Sequence, residues 1–309
     1  MQKGYYMMLL LPADFVYKIE HSFNEKGKAW LLALPSLLDE AACRWGLTLG
    51  EHFPLSYNYV CAAKNADGVD VVLKIGVPDV EIISEIDALR LYDGQGAVRL
   101  IDSDAEKGML IEERLTPGTM LHEMPDDAQS TEIAAGVMRS LWRPVPQPNH
   151  FLHLEDWLGR FEKLRQHFGG GSGPMPRKIL ETAEGLTADF LAEHEPPIVL
   201  HGDFHHYNLL KTDDGWKVID PKGVIGPRGY EVGPFLINPL DGLLHGPDAK
   251  QISERRIAIL AEQLGMERSR IRGWGIVHAV LSACWSLYAQ GNGGEHAIHC
   301  AEVFMSIPK

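Results

Sequence analysis

Two β-hairpin patterns lie far apart in this chain, and the sequence around each is different. The first pairs YNYVCAAK (57–64) with VDVVLKIG (69–76) across NADG, whose aspartate-glycine step suits a tight turn between strands. The second pairs NLLK (208–211) with WKVID (216–220) across TDDG, and it sits inside sequence of mostly helical period. A strand-rich beginning followed by a helical remainder with its own small sheet predicts an α+β fold in two lobes. The length of 309 residues is long for one core and comfortable for two.

The lobes divide at about 1–113 and 114–309. In the first, apolar spacing predicts a helix over 24–46, with Gly46 as its stop. After Pro78 a second helix is expected, carrying Val80, Ile83, Ile86 and Leu89 on one side and Glu81 and Glu85 four residues apart on another. AVRLIDSD (97–104) and GMLIEERL (108–115) then read as a further strand pair. In the second lobe, helices are expected near 129–142, 154–168, 177–193, 251–264 and 268–290, with a strand at PIVL (197–200). The connector HFGGGSGPMP (167–176) lacks the Lys-Ser/Thr that follows a nucleotide P-loop. The apolar run YYMMLLL (5–11) is too short to span a membrane and is expected to pack against the fold.

Between PIVL and the second hairpin stands HGDFHHYN (201–208). If Lys211 faces Trp216 across the hairpin, Asn208 faces Ile219 and Tyr207 faces Asp220, which makes Asn208 and Asp220 neighbours at the hairpin's open end. An amide and a carboxylate there offer oxygens to a hard cation such as magnesium. His201, Asp203 and Asn208 keep the H-x-D and D-x-x-x-x-N spacings of a kinase catalytic loop, with an aspartate one hairpin later. VVLK (71–74) and Glu85 fill the places of the strand lysine and helical glutamate of that arrangement. A second reading stays open, because His201, Asp203, His205 and His206 form an H-x-D-x-H-H series that could ligate zinc in a hydrolase. A nucleotide-binding protein without catalysis is a third.

VLHGDFHHYNLL, WKVIDPKGVIG, YEVGPFLINP and the helix ending AACRWGLTLG resemble the aminoglycoside phosphotransferase family, within it the streptomycin and hydroxyurea kinase branch. The resemblance implies a protein-kinase-like fold and transfer of the γ-phosphoryl group of ATP, with Mg2+, to a small-molecule hydroxyl. It implies Asp203 as catalytic base, Asn208 and Asp220 as magnesium ligands, Lys74 as the phosphate-binding lysine and Glu85 as its partner. LIEERLTPG (110–118), with Glu113 and Leu115, is similar to the inter-lobe hinge whose backbone binds adenine, and the cleft between the lobes would hold the site. The turn in LSYNYVCAAK departs from the kinase pattern by lacking a glycine, and Pro221-Lys222-Gly223 stands where Phe-Gly is usual.

A formal charge of −13 argues against a nucleic-acid partner and permits a cationic acceptor. Glu155, Asp156, Glu231 and Asp241 are candidates to meet such an acceptor. Trp274, Trp285 and Tyr288 are candidates to floor its pocket, or core residues. Kinase action on an unrelated small metabolite is the alternative. Four cysteines without close spacing suit a reducing cytoplasm, and no membrane association is expected.

Overall fold

The computed structural model describes residues 11–193, 195–240, 242–290 and 293–308, with the side chains of 288–290 left outside. The chain divides into two compact units, Met1–Ile86 with Leu100–Arg114, and Asp87–Arg99 with Leu115–Lys309.

The first unit opens with α1 (Ala13–Trp45), closed by Gly46 in the left-handed conformation, whose N–H bonds to the Ala42 carbonyl. This helix starts well before the expected residue 24. Phe15 and Ile19 extend its buried stripe upstream, and the period seen in sequence is broken by a kink at Asn24, where φ is 51°. Of the apolar run at 5–11, Leu11 packs against the core and the rest lies outside the described residues. Strands β1 (Thr48–His52), β2 (Tyr59–Lys64), β3 (Asp70–Ile75), β4 (Leu100–Asp104) and β5 (Met109–Glu113) form one antiparallel sheet in the order β1-β2-β3-β5-β4. In the predicted turn, the Asn65 side chain accepts from the N–H groups of Asp67 and Val69, and Gly68 takes φ +78°.

Side chains alternate across a strand, so Val71, Leu73 and Ile75 face α1 and share a core with Trp30, Leu34 and Leu38. Lys74 therefore faces the opposite side. Helix α2 (Val80–Tyr92) starts where the Asp79 carboxylate accepts from the N–H groups of Glu81 and Ile82, and it supplies Glu85 to Lys74.

The segment AVRL does not begin β4 as expected. The Val98 N–H donates to the Val218 carbonyl and the Val218 N–H to the Gly96 carbonyl, which draws this stretch into the second unit. That unit has β6 (Pro117–Met120), α3 (Asp127–Leu141), β7 (Arg143–Pro144), β8 (Leu152–His153), α4 (Leu154–Leu158), α5 (Arg160–His167), α6 (Arg177–Ala192), β9 (Ile198–Leu200), β10 (Leu209–Thr212), β11 (Gly215–Val218), β12 (Val224–Gly226), α7 (Val232–Leu236), α8 (Ala249–Leu264), α9 (Arg268–Gln290) and α10 (Glu295–Ser306). Two small sheets, β11-β10-β6 and β7-β9-β12-β8, hold the loops of interest between helices. Trp274, Tyr230, Phe235 and Phe304 are fully buried in the core. Among the described residues, no helix is long and apolar enough to cross a membrane.

Candidate active site

In the first unit, Lys74 Nζ lies 2.5 Å from Glu85 Oε1, and both side chains are buried. Removing one member of such a pair leaves an uncompensated buried charge, at about 3–5 kcal/mol. Strand register puts Lys74 opposite Val60 on one side and Leu110 on the other, so the position is held by both neighbours in the sheet. Glu113 ends β5 opposite Val71 and is half-buried, while Leu115 is buried in the second unit.

The second unit gathers Asp203, Asn208 and Asp220 around one loop. The hairpin has the expected register, with Lys211 opposite Trp216 and Leu209 opposite Val218, and the Ile219 N–H donates to the Asn208 carbonyl at 2.9 Å. The Asn208 amide nitrogen donates to the Asp203 carbonyl at 3.0 Å, so its carbonyl oxygen is the group this buried side chain offers elsewhere. Asp220 follows in the left-handed region at φ +59°, a conformation sparsely used by residues other than glycine. The amide oxygen and carboxylate are the donor chemistry of a hard-cation site.

The loop is clamped at two points. At its start, Glu231 is fully buried and accepts from the N–H groups of His201 and Gly202 at 2.8 and 2.9 Å. Burial pushes the Glu231 carboxyl up to about 7, against those two bonds, which pull it down. His201 spans the loop with both ring nitrogens: Nε2 donates to the Ile219 carbonyl at 2.9 Å, and Nδ1 accepts from the Asp203 N–H at 3.2 Å. Burial lowers its pKa to about 4, so the ring is neutral. Gly202 takes φ +82°, and a Cβ there would stand 2.6 Å from Val224 Cγ2. Further along, His206 stacks on Phe235 with centroids 4.1 Å apart and has Nε2 3.5 Å from Arg256. Buried Arg256 is itself held by Asp127 and the Asn238 carbonyl.

Between the clamps the Asp203 side chain remains 41% exposed, with His205 Nε2 at 3.6 Å. Burial pushes its pKa up, but His205, Lys222, His201 and His278 around it outweigh that and hold it below the ordinary carboxylate value. The clamps also decide the zinc question. His201 spends both nitrogens on backbone groups and His206 faces Arg256, so the H-x-D-x-H-H series does not converge. Among the described residues no three His, Cys, Asp or Glu side chains form a metal-holding group.

Glu231, a candidate for meeting a cationic acceptor, is instead a loop anchor with no exposed surface. Glu155 and Asp156 stand exposed on α4, Trp274 is core, and Asp241 and the Tyr288 side chain lie outside the described residues. Three neighbours of the loop had no local signal in sequence: Trp157, Tyr230 and His278. The Tyr230 hydroxyl bonds to His278 Nδ1 at 2.9 Å, and burial lowers the His278 pKa to about 3.

These groups set an acid limit on stability. His201 and His278 stay neutral in the folded protein down to about 4 and 3, whereas in the unfolded chain they take up protons below 6.5. The unfolded state thus binds more protons in that window, and stability falls as pH drops through it. Glu231 works the other way between its ordinary 4.5 and about 7, since there the folded state holds the extra proton. Two imidazoles outweigh one carboxyl, so the urea midpoint should fall steadily from pH 6.5 to pH 4.5. A midpoint that rises on acidification contradicts this assignment.

A model of the aminoglycoside/hydroxyurea antibiotic resistance kinase family matches residues 54–290. Streptomycin 6-kinase of Streptomyces glaucescens is 30% identical over 280 residues, covering 90% of this chain and 91% of the relative. Hydroxyurea phosphotransferase of Kitasatospora aureofaciens is 30% identical over 282 residues, covering 90% and 80%. In fold, the chain is similar to a thermostable mutant of aminoglycoside phosphotransferase APH(4)-Ia solved in a ternary complex with ADP and hygromycin B, with a TM-score of 0.58, 15% identity, and 87% and 97% of the two chains covered. With its antiparallel sheet unit and helical unit of protein-kinase-like fold, the chain belongs to the aminoglycoside/hydroxyurea antibiotic resistance kinase family and is a small-molecule phosphotransferase.

Proposed function

We propose that this protein transfers the γ-phosphoryl group of ATP to a hydroxyl of an aminoglycoside such as streptomycin. The observation that carries the reading is the catalytic loop itself: Asn208 tied to the Asp203 carbonyl, Ile219 tied to Asn208, and a half-exposed Asp203 carboxylate between two clamps. The ADP complex of the structural neighbour supports the nucleotide, and the name of the streptomycin 6-kinase relative supports the acceptor.

In this reading Lys74, oriented by Glu85, binds the nucleotide phosphates, and the backbone at Glu113 to Leu115 meets adenine. Asn208 and Asp220 would hold magnesium, which when bound neutralises charge on the phosphates. The Asp203 carboxylate accepts a hydrogen bond from the acceptor hydroxyl and aims its oxygen at phosphorus. As the new O–P bond forms and the bond to the ADP oxygen breaks, the hydroxyl proton passes to Asp203. Its low pKa suits this role, because positioning and charge stabilisation supply most of the acceleration in phosphoryl transfer.

The test is ADP release with magnesium and ATP against a panel containing streptomycin, other aminoglycosides, hydroxyurea, sugars and amino alcohols. ADP release that rises with an aminoglycoside supports the reading. A response confined to sugars or amino alcohols would overturn the acceptor, and no response to any member would overturn the reading as a whole.

A further inference from the structure

A cluster of rings stands beside the catalytic loop, within the same unit, and has been given no contact with a substrate above. The end of the Trp157 ring lies 3.3 Å from where a Gly202 Cβ would stand, so the indole rests directly against the residue preceding Asp203. Trp157 meets Trp285 edge to face at 5.5 Å, and both indoles keep part of their surface exposed. Trp285 and His278 are seven residues apart on α9, two helical turns along one face, with ring centroids 6.0 Å apart. Gly233 lets the chain approach His278 closely, since a Cβ there would be 2.4 Å from the His278 Cβ.

The imidazole is 5% exposed and has one committed nitrogen. The buried Tyr230 hydroxyl has His278 Nδ1 as its hydrogen-bond partner among the described residues, so its O–H is satisfied by donating there. The ring proton then belongs on Nε2, and Nε2 has no hydrogen-bond partner among the described residues. His278 is near enough to Asp203 to influence its carboxylate. The imidazole and the two half-open indoles thus stand together on the Gly202 side of the loop that carries Asp203.

We propose that Trp157, Trp285 and the Nε2–H of His278 form the acceptor subsite, and that it takes a polyhydroxylated six-membered ring. The apolar C–H face of such a ring packs on indole, while one of its hydroxyl oxygens accepts from His278. Hydroxyurea, which is small and linear, has no such face. The Arg160 guanidinium, 6.0 Å from the Trp285 ring, covers part of that indole, which leaves Trp157 as the principal platform. The proposal rests on the phosphotransfer reading and names the side chains that would meet its acceptor.

Steady-state kinetics and calorimetry on Trp157→Ala, Trp157→Phe and His278→Phe test it, with streptomycin as the ring acceptor and hydroxyurea as the linear one. Loss of one stacking or hydrogen-bonding contact corresponds to about a tenfold effect. Trp157→Ala and His278→Phe should each raise the streptomycin KM about tenfold, more than the ATP KM, and Trp157→Phe should restore most of the loss. A streptomycin KM unchanged in both variants, or an ATP KM raised equally, would overturn the subsite while leaving phosphotransfer standing. Streptomycin that binds the wild type without turnover, and loses that binding in Trp157→Ala, would support the subsite and overturn the phosphotransfer reading. Neither binding nor turnover in the wild type would overturn both.

Discussion

Asp203→Ala should lower kcat by about a thousandfold with streptomycin and leave ATP affinity within about threefold of the wild type, the range expected when a positioned base is lost. The side chain is 41% exposed, so deleting it opens no cavity in the core. Its loop remains clamped by Glu231 and His201 at one end and by His206 at the other. The fold should therefore survive, and the fall in kcat can be assigned to chemistry. Nucleotide contacts in this account come from Lys74, the backbone at Glu113 to Leu115, and the magnesium that Asn208 and Asp220 would hold, none of which depends on the Asp203 carboxylate. Rapid-quench measurement of a single turnover, with ATP affinity measured by calorimetry, checks both halves. Wild-type turnover in the variant would remove Asp203 from the mechanism.

Glu231→Ala should be the most damaging substitution to the fold around the site. It deprives two buried N–H groups, those of His201 and Gly202, of their acceptor, and each such loss costs about 1–3 kcal/mol. Together they should lower Tm by about 10 °C, since a destabilisation of 1 kcal/mol shifts a chain of this size by about 2–4 °C. Activity should fall as well, because Gly202 immediately precedes Asp203 and a displacement of about 1 Å at the base can cost a hundredfold. Glu231→Gln keeps one oxygen acceptor but turns an N–H2 toward the second backbone N–H, so it should lie between the wild type and Glu231→Ala. Calorimetric Tm and kcat measured on the same samples test the pair. A Glu231→Ala protein with wild-type values of both would show that the loop is held by something else.

What could be read from the sequence was what depends on short spacings. The two hairpins, the strand position of Lys74, the helix bearing Glu85, and the register that sets Asn208 opposite Ile219 all follow from alternation, helical period and turn register. Each is settled within a few residues, and each is found in the structure. The misreadings came where a distant partner decides. Ala97 and Val98 look like the start of a strand, but their backbone is claimed by Val218, far along the chain.

Glu231 reads as a surface carboxylate because nothing nearby marks it. Its two bonds reach back 30 and 29 residues to the HGDFHHYN loop. The histidines of HGDFHHYN invited a zinc reading for the same reason, since ring partners such as the Ile219 carbonyl, Phe235 and Arg256 are brought together only by the fold. Trp157 and His278, on different helices, belong to the same class of long-range arrangement.

Phosphorus NMR of a reaction containing the protein, magnesium, ATP and streptomycin tests the central claim most directly. The account predicts that ATP signals decline, ADP signals grow, and a new phosphate monoester attached to streptomycin appears in step with them, at a rate lost in Asp203→Ala. Inorganic phosphate as the sole new product, or a monoester that forms equally fast in Asp203→Ala, would contradict it.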